Sequence, residues 1–194
     1  MDKFLILVAN ENETIEILTV YDYLKRSDVP VDLVSTEDSL KLVTSHGLSY
    51  KADFLFDEIN PDEYFGVYIP GGTNGAIALR DNDKVIDLVK DFDEKRKTIA
   101  AICAGPIVLN RAGVLEDKRA TSHPSVKDEL DRVGEYIEDE IVVTDGNITT
   151  SRGAALTNYL ALRLVEIIKG DEAKEELKPK IMQSGVEDYY SFKF

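Results

Sequence analysis

The chain has 194 residues, 43% of them hydrophobic, which is enough for one compact domain with a real core and too little for a second full one. Its 37 acidic against 23 basic residues give a formal net charge of -14, which argues against nucleic acid or an anionic membrane as the main partner. No apolar run approaches the roughly 20 residues that cross a bilayer, and MDKFLILVANENE is too short in apolar residues for a secretory signal, so a cytoplasmic location is expected.

KFLILVA, Lys3 to Ala9, is a nearly continuous apolar run that suits a strand buried on both faces of a parallel sheet. A helix is predicted from Thr14 to Arg26, with Ile17, Tyr21 and Leu24 at i, i+4 and i+7 and basic residues in the last turn. Val29 to Ser35 reads as the next strand, so the chain opens as a β-α-β unit. Leu40 to Asp53 places β-branched residues around a Ser-His-Gly break and reads as an excursion of extra strands. Phe65 to Gly72 is a strand running into a glycine turn, Asp83 to Arg96 an amphipathic helix, and TIAAI from Thr98 another buried strand. After Cys103, AGPIVLNRAG reads as a helix that stops at Gly113. EIVVTDGNITTS holds two strand patterns about Asp145-Gly146, a hairpin signal, and Ala155 to Lys169 is the most regular helical pattern in the chain.

Alternating strands and helices predict a doubly wound α/β sandwich with right-handed crossovers. The expected division is one α/β domain over residues 1–169 and a helical, aromatic tail over 170–194. That tail ends in DYYSFKF, which either packs on the same domain or a neighbour or stays loose. Asn147-Ile148-Thr149 matches a glycosylation acceptor, but without a secretory signal the match reads as accidental.

In an open α/β sheet, ligands bind beyond the carboxyl ends of the strands. Two loops lie there. Pro70-Gly71-Gly72-Thr73-Asn74-Gly75 either brings backbone amides to a substrate oxygen as an oxyanion pocket or is an ordinary strand-to-helix turn. Ile102-Cys103-Ala104-Gly105-Pro106 turns a buried strand sharply into a helix and carries the only cysteine. A thiol there is lifted out of the sheet beside a helix N-terminus, whose partial positive charge is expected to lower its pKa; the competing reading is a buried core cysteine. A single cysteine excludes an internal disulfide and a cysteine-rich metal site.

Glu16 shares a helical stripe with Val20 and Tyr23. Either its carboxyl enters a partly apolar crevice, is held protonated and donates to a thiolate, or it merely complements the helix dipole as Glu13 does. Of the two histidines, His123 precedes Pro124, which holds it extended. Its imidazole either reaches Cys103 or is solvated.

Taken together, AAICAGP, YIPGGTNGA, ATSHPSVKDEL, ITTSRGAA and the Glu16 helix resemble the ThiJ/PfpI superfamily, in particular the branch of the parkinsonism-associated deglycase and its bacterial relatives. The match runs in order from Lys3 to about Met182. The resemblance implies a flavodoxin-like three-layer sandwich, with a mostly parallel sheet flanked by helices and a nucleophile elbow, assembled as a homodimer. It makes Cys103 the elbow cysteine, Glu16 the acid that hydrogen-bonds it, and His123 the histidine near the thiol. It places the Gly71-Gly72 loop and Ala104 at the oxyanion pocket, with the Gly72 and Ala104 amides lining it, and Arg152-Gly153 at a structural turn beside the site. Arg26 and His46 fall where relatives place groups near the dimer interface and the pocket mouth.

The implied activity is glyoxalase or deglycase chemistry on methylglyoxal, glyoxal or glycated adducts, without metal or organic cofactor. The alternative is a redox-sensing stress protein or holdase chaperone that uses oxidation of Cys103. A protease or amidase reading is weaker. Ala104 stands where protease relatives place a histidine, and no histidine follows His123 to build the His-x-Glu pair of glutamine amidotransferases. Val20 replaces a proline common on the first helix of this branch.

Overall fold

The computed structural model describes residues 2–194. The chain begins with β1 (Lys3–Val8), α1 (Thr14–Arg26) and β2 (Val31–Ser35), the predicted β-α-β opening. A hairpin of β3 (Lys41–Val43) and β4 (Ser49–Lys51) follows, and then β5 (Phe54–Leu55), β6 (Tyr64–Ile69), α2 (Thr73–Arg80), α3 (Asp83–Glu94) and β7 (Thr98–Ile102). The remainder is α4 (Pro106–Ala112), β8 (Arg119–Ala120), β9 (Glu135–Tyr136), β10 (Val142–Asp145), β11 (Ile148–Ser151), α5 (Thr157–Lys169), α6 (Asp171–Lys180) and α7 (Gln183–Tyr190).

The main sheet has the order β10-β11-β7-β6-β1-β2-β5. All its pairings are parallel except β10 with β11, where Asp145 pairs with Ile148 across a two-residue turn opened by Gly146 at φ +61°. This is the hairpin expected from Asp145-Gly146, since a two-residue turn needs a positive φ at its first central residue. Phe4 to Val8 are fully buried, which accounts for the unbroken apolar run of a central strand.

Side-chain alternation on β1 divides the core into two layers. Leu5 and Leu7 pack with Val85, Val89 and Phe92 of α3 and with Ile107 of α4. Phe4, Ile6 and Val8 face Ile17, Val20 and Leu24 of α1 and Leu160 and Leu164 of α5. The result is the doubly wound α/β sandwich predicted from the alternating pattern, in the three-layer, flavodoxin-like form that the resemblance implied. Each of these large side chains contributes about 1.5–3 kcal/mol by leaving water.

Two helices go beyond the sequence reading. α2 fills the stretch after the glycine turn, and α7 occupies part of the aromatic tail. The tail folds back on α5. The Phe194 ring meets Tyr159 edge-on at 5.0 Å between ring centres, and Lys178 Nζ donates to the Phe194 carbonyl oxygen at 2.5 Å. Among the described residues, no helix is long and apolar enough to cross a membrane.

Candidate functional site

The chain leaves β1 toward β2 and β5 on one side, then returns to β6 and β7 on the other, so its winding reverses between β1 and β6. Crevices at such a reversal, beyond the strands' carboxyl ends, are where open α/β sheets bind ligands. Three adjacent strands end there. β1 is followed by the Glu16 turn of α1, β6 by Gly71-Gly72, and β7 by Cys103.

Cys103 adopts φ +61°, a left-handed conformation that costs a non-glycine residue about 1–2 kcal/mol. Neighbouring backbone holds it there. Its N–H donates to Ser151 O (3.0 Å) at the end of β11, and its carbonyl accepts from His123 N–H (2.8 Å). The thiol is thereby turned out of the sheet toward the Gly71 loop. A Cβ on Gly71 would fall 2.6 Å from Cys103 Cβ and 2.7 Å from Glu16 Oε2, so only glycine lets the three segments meet.

Glu16 is fully buried. Its backbone N–H is capped by the Glu13 carboxylate at 2.9 Å, and its carbonyl accepts from the buried Tyr68 hydroxyl at 3.0 Å, which fixes the first turn of α1 on β6. Gly71 N–H donates to Oε2 at 2.7 Å; Oε1 is buried without a backbone donor, and the carboxyl faces the Cys103 thiol as its side-chain hydrogen-bond partner. Burial pushes this carboxyl up to about 7, against the pull of the Gly71 amide and with the help of the Glu13 charge.

The thiol differs from expectation. Burial, and then the facing Glu16 carboxylate, push Cys103 up to about 12, while the N–H groups of Gly72 and Ala104 directed at the sulfur pull the other way. The expected lowering by a helix N-terminus is absent because α4 starts only at Pro106, is seven residues long, and offers no N–H at its first position. Thiol and carboxyl are one coupled pair. Moving the thiol proton onto Glu16 leaves the net charge of the pair unchanged and cancels the repulsion that opposes the thiolate.

The structure therefore brings together Cys103, Glu16, Gly71, Gly72 and Ala104. His123 joins them through its backbone, while its exposed ring is engaged with Ser125, whose Oγ lies 2.7 Å from Nδ1. Arg152 is half-buried directly after Ser151 and acts electrostatically on Glu138. His46 is exposed, with Nδ1 3.8 Å from Glu13 Oε1 at the rim of the site. Arg26 is not brought in. It lies ten residues further along α1, about 15 Å away, in an exposed pair with Asp22 at 2.6 Å.

Sequence reasoning missed Tyr68 and Asn12. Asn12 is fully buried between the end of β1 and the Gly71 loop, although no periodicity marks it. A cleft of about 270 Å³ elsewhere on the surface is lined by Thr36, Glu37, Asp38, Phe56, Asp57 and Lys84. Among the described residues, no group of three or more His, Cys, Asp or Glu side chains converges as a metal site.

A mostly parallel sandwich with a strained cysteine elbow, two amides at the sulfur and a buried carboxyl beside it defines a thiol-elbow α/β protein. The chain belongs to the DJ-1/PfpI family, whose model matches residues 2–167. It is 37% identical over 168 residues to a protein of Pyrococcus horikoshii named as a deglycase, covering 86% of this chain and 99% of that one. It is 32% identical to Drosophila melanogaster protein dj-1beta over 89% of this chain and 92% of the relative. Among solved structures, the Drosophila DJ-1beta crystal structure aligns with a TM-score of 0.89 at 31% identity, over 94% of this chain and 98% of that one. Oxidized Toxoplasma gondii DJ-1 aligns at 0.86 and 31%, with the same coverage.

Proposed function

We propose that this chain is a cysteine-dependent glyoxalase or deglycase-type enzyme that acts on methylglyoxal, glyoxal or early glycation adducts. The observation that carries the reading is the pairing of a fully buried carboxyl, raised to about 7, with a thiol on a strained elbow. A proton-transfer group with that pKa is matched to neutral pH. The deglycase names of the relatives point the same way.

For methylglyoxal the route is as follows. The thiol proton passes to Glu16 and sulfur adds to the aldehyde carbon, while the carbonyl electron pair moves to oxygen, where the Gly72 and Ala104 amides receive the charge. That oxygen takes the proton from Glu16 to give a hemithioacetal. The Glu16 carboxylate then removes the proton from the former aldehyde carbon, and the resulting enediol is protonated at the neighbouring carbon to give a lactoyl thioester. Water cleaves the thioester, releasing lactate and the thiol. One carbon is oxidised and its neighbour reduced, so no outside electron acceptor and no cofactor enters. His123 steadies the elbow through its backbone N–H on the Cys103 carbonyl.

The test is methylglyoxal consumption with lactate detection. Cys103→Ser is expected to abolish turnover, and Glu16→Gln to lower kcat by about 10²–10⁴-fold. Near-normal turnover in the serine variant would refute the covalent route. The rival reading is a redox sensor or holdase whose Cys103 is oxidised, with Glu16 donating to the sulfinate; the buried Oε1, which has no backbone donor, favours it, and the raised thiol pKa opposes both readings alike. A sensor loses its thiol once per oxidation event, whereas an enzyme shows many turnovers.

We further propose a homodimer. Ile15 and Leu18 of α1 and Val43 and Leu48 of the β3–β4 hairpin are exposed on neighbouring segments joined by the Thr14–Thr44 hydroxyl contact at 2.7 Å. A second copy would cover that apolar face.

A further inference from the structure

The Gly72 amide reaches the thiol only if its peptide plane is held the right way round, and the groups that hold it lie on the far side of the loop. In a trans peptide unit the carbonyl and the N–H point in opposite directions. Gly71 C=O and Gly72 N–H belong to one such unit. The carbonyl end accepts from Asn12 Nδ2 at 2.8 Å and from Glu13 N–H at 3.0 Å, while the N–H end faces Cys103 Sγ.

Asn12 is itself anchored. Its Oδ1 accepts from Ala9 N–H at 2.7 Å, and its carbonyl accepts from Ser45 N–H at 3.0 Å, so the side chain bridges the end of β1 to the β6 loop. Both amide atoms are used and the residue is fully buried. The packing repeats the message of the hydrogen bonds. A Cβ on Gly72 would lie 2.4 Å from Glu11 O and 2.8 Å from Asn12 C, and one on Gly75 would lie 2.5 Å from Asn12 Nδ2. The Gly71–Gly75 loop is thus pressed between the Asn12 segment on one side and the Cys103 elbow on the other.

The geometry points to Asn12 as a positioning residue: by gripping Gly71 O it turns the Gly72 N–H toward Cys103 Sγ and prepares the oxyanion pocket before substrate arrives. It touches neither thiol nor substrate and acts through the Gly71–Gly72 peptide. Glu13 N–H alone leaves that peptide free to rock about a single bond, and a donor misaimed by a fraction of an ångström loses much of its effect on developing charge.

The kinetic part rests on the proposed dicarbonyl activity, so a second readout is independent of it. Cys103 is the only cysteine, and alkylation by iodoacetamide therefore reports this one thiol. Asn12→Leu keeps the volume and adds no charge while removing both the donor to Gly71 O and the acceptor for Ala9 N–H; Asn12→Ala removes both with the volume, and Asn12→Ser keeps a short polar group. In Asn12→Leu the rate of alkylation at a fixed pH near 9 is expected to fall about tenfold or more, because a misaimed Gly72 N–H no longer favours the thiolate. With methylglyoxal, kcat is expected to fall about 10- to 100-fold with KM within about twofold. A folded Asn12→Leu protein with unchanged alkylation rate and unchanged kcat would overturn the assignment, and so would loss of folding in all three variants, which would make Asn12 a folding residue only. Absence of turnover in the unsubstituted protein would sink the enzymatic reading and leave the alkylation rate as the deciding result for Asn12.

Discussion

Glu16 is the residue at which folding and chemistry conflict most. Burial raises its carboxyl from 4.5 to about 7, so between those pH values the folded protein keeps a proton that the unfolded chain has released. A raised folded-state pKa means that stability falls as pH rises through this window, by about 1.4 kcal/mol per pH unit and about 3 kcal/mol in all. Glu16→Gln removes the titration and preserves an acceptor for Gly71 N–H. Denaturant unfolding at pH 4.5, 6, 7 and 8 is therefore expected to give matching stabilities at the acid end and a variant more stable than the parent at pH 8. Parallel curves would show that the buried carboxyl does not titrate there. Cys103 does not blur the window, because an unfolded thiol ionises only above about pH 8. The sequence made Cys103 conspicuous through an apolar strand stopping at small residues. It read Glu16 more readily as a helix-start carboxylate than as an acid at the site, because only the approach of Gly71, 55 positions away, buries the carboxyl. Asn12 was silent for the same reason, since its partner is 59 positions away and its segment has no period.

At the scale of elements, legibility followed periodicity. β1, α1, β7 and the β10–β11 hairpin carry local patterns and fall where those patterns put them. α2 was hidden because TNGAIALR starts beside two glycines and contains a third, and glycine is a poor helix former. Those glycines serve the close approach of Asn12 and the elbow, so the demands of the site erased the helical signal. α7 was hidden by a mixed segment whose order comes from outside it. Lys178, almost fully buried, binds Glu175 at 2.8 Å, Glu187 at 3.3 Å and the Phe194 carbonyl at 2.5 Å, so one cation ties α6, α7 and the chain end together. Removing it strands the buried Glu187 carboxylate, whose remaining side-chain donor is Gln183 at 3.3 Å. Lys178→Met keeps the packed stem and deletes the charge. Amide hydrogen exchange over residues 183–194 is then expected to speed up by tenfold or more, about 1.4 kcal/mol of local stability, with β1 and α1 unchanged. Unchanged exchange in the tail would mean that Tyr159 and the Phe194 ring hold it without the lysine.

At the scale of the whole molecule two forces oppose each other on the proposed dimer face. Each chain carries a net charge of -14, so two copies repel through solvent over a Debye length of about 8–10 Å at ordinary salt. Against this stands the burial of Ile15, Leu18, Val43 and Leu48, at about 25 cal/mol per Å² of apolar surface, a term that salt does not screen. Most ion pairs on the surface are exposed and worth about 0–1 kcal/mol each, so their own screening is a small loss. Salt should therefore remove more repulsion than attraction and tighten association. Light scattering at micromolar concentration is expected to give the mass of two chains at 0.3 M salt and a shift toward one chain near 0.01 M. A single-chain mass throughout would remove the dimer. A dimer that loosens as salt rises would mean that cross-chain ion pairs hold it, in place of the apolar face beside the Glu16 helix.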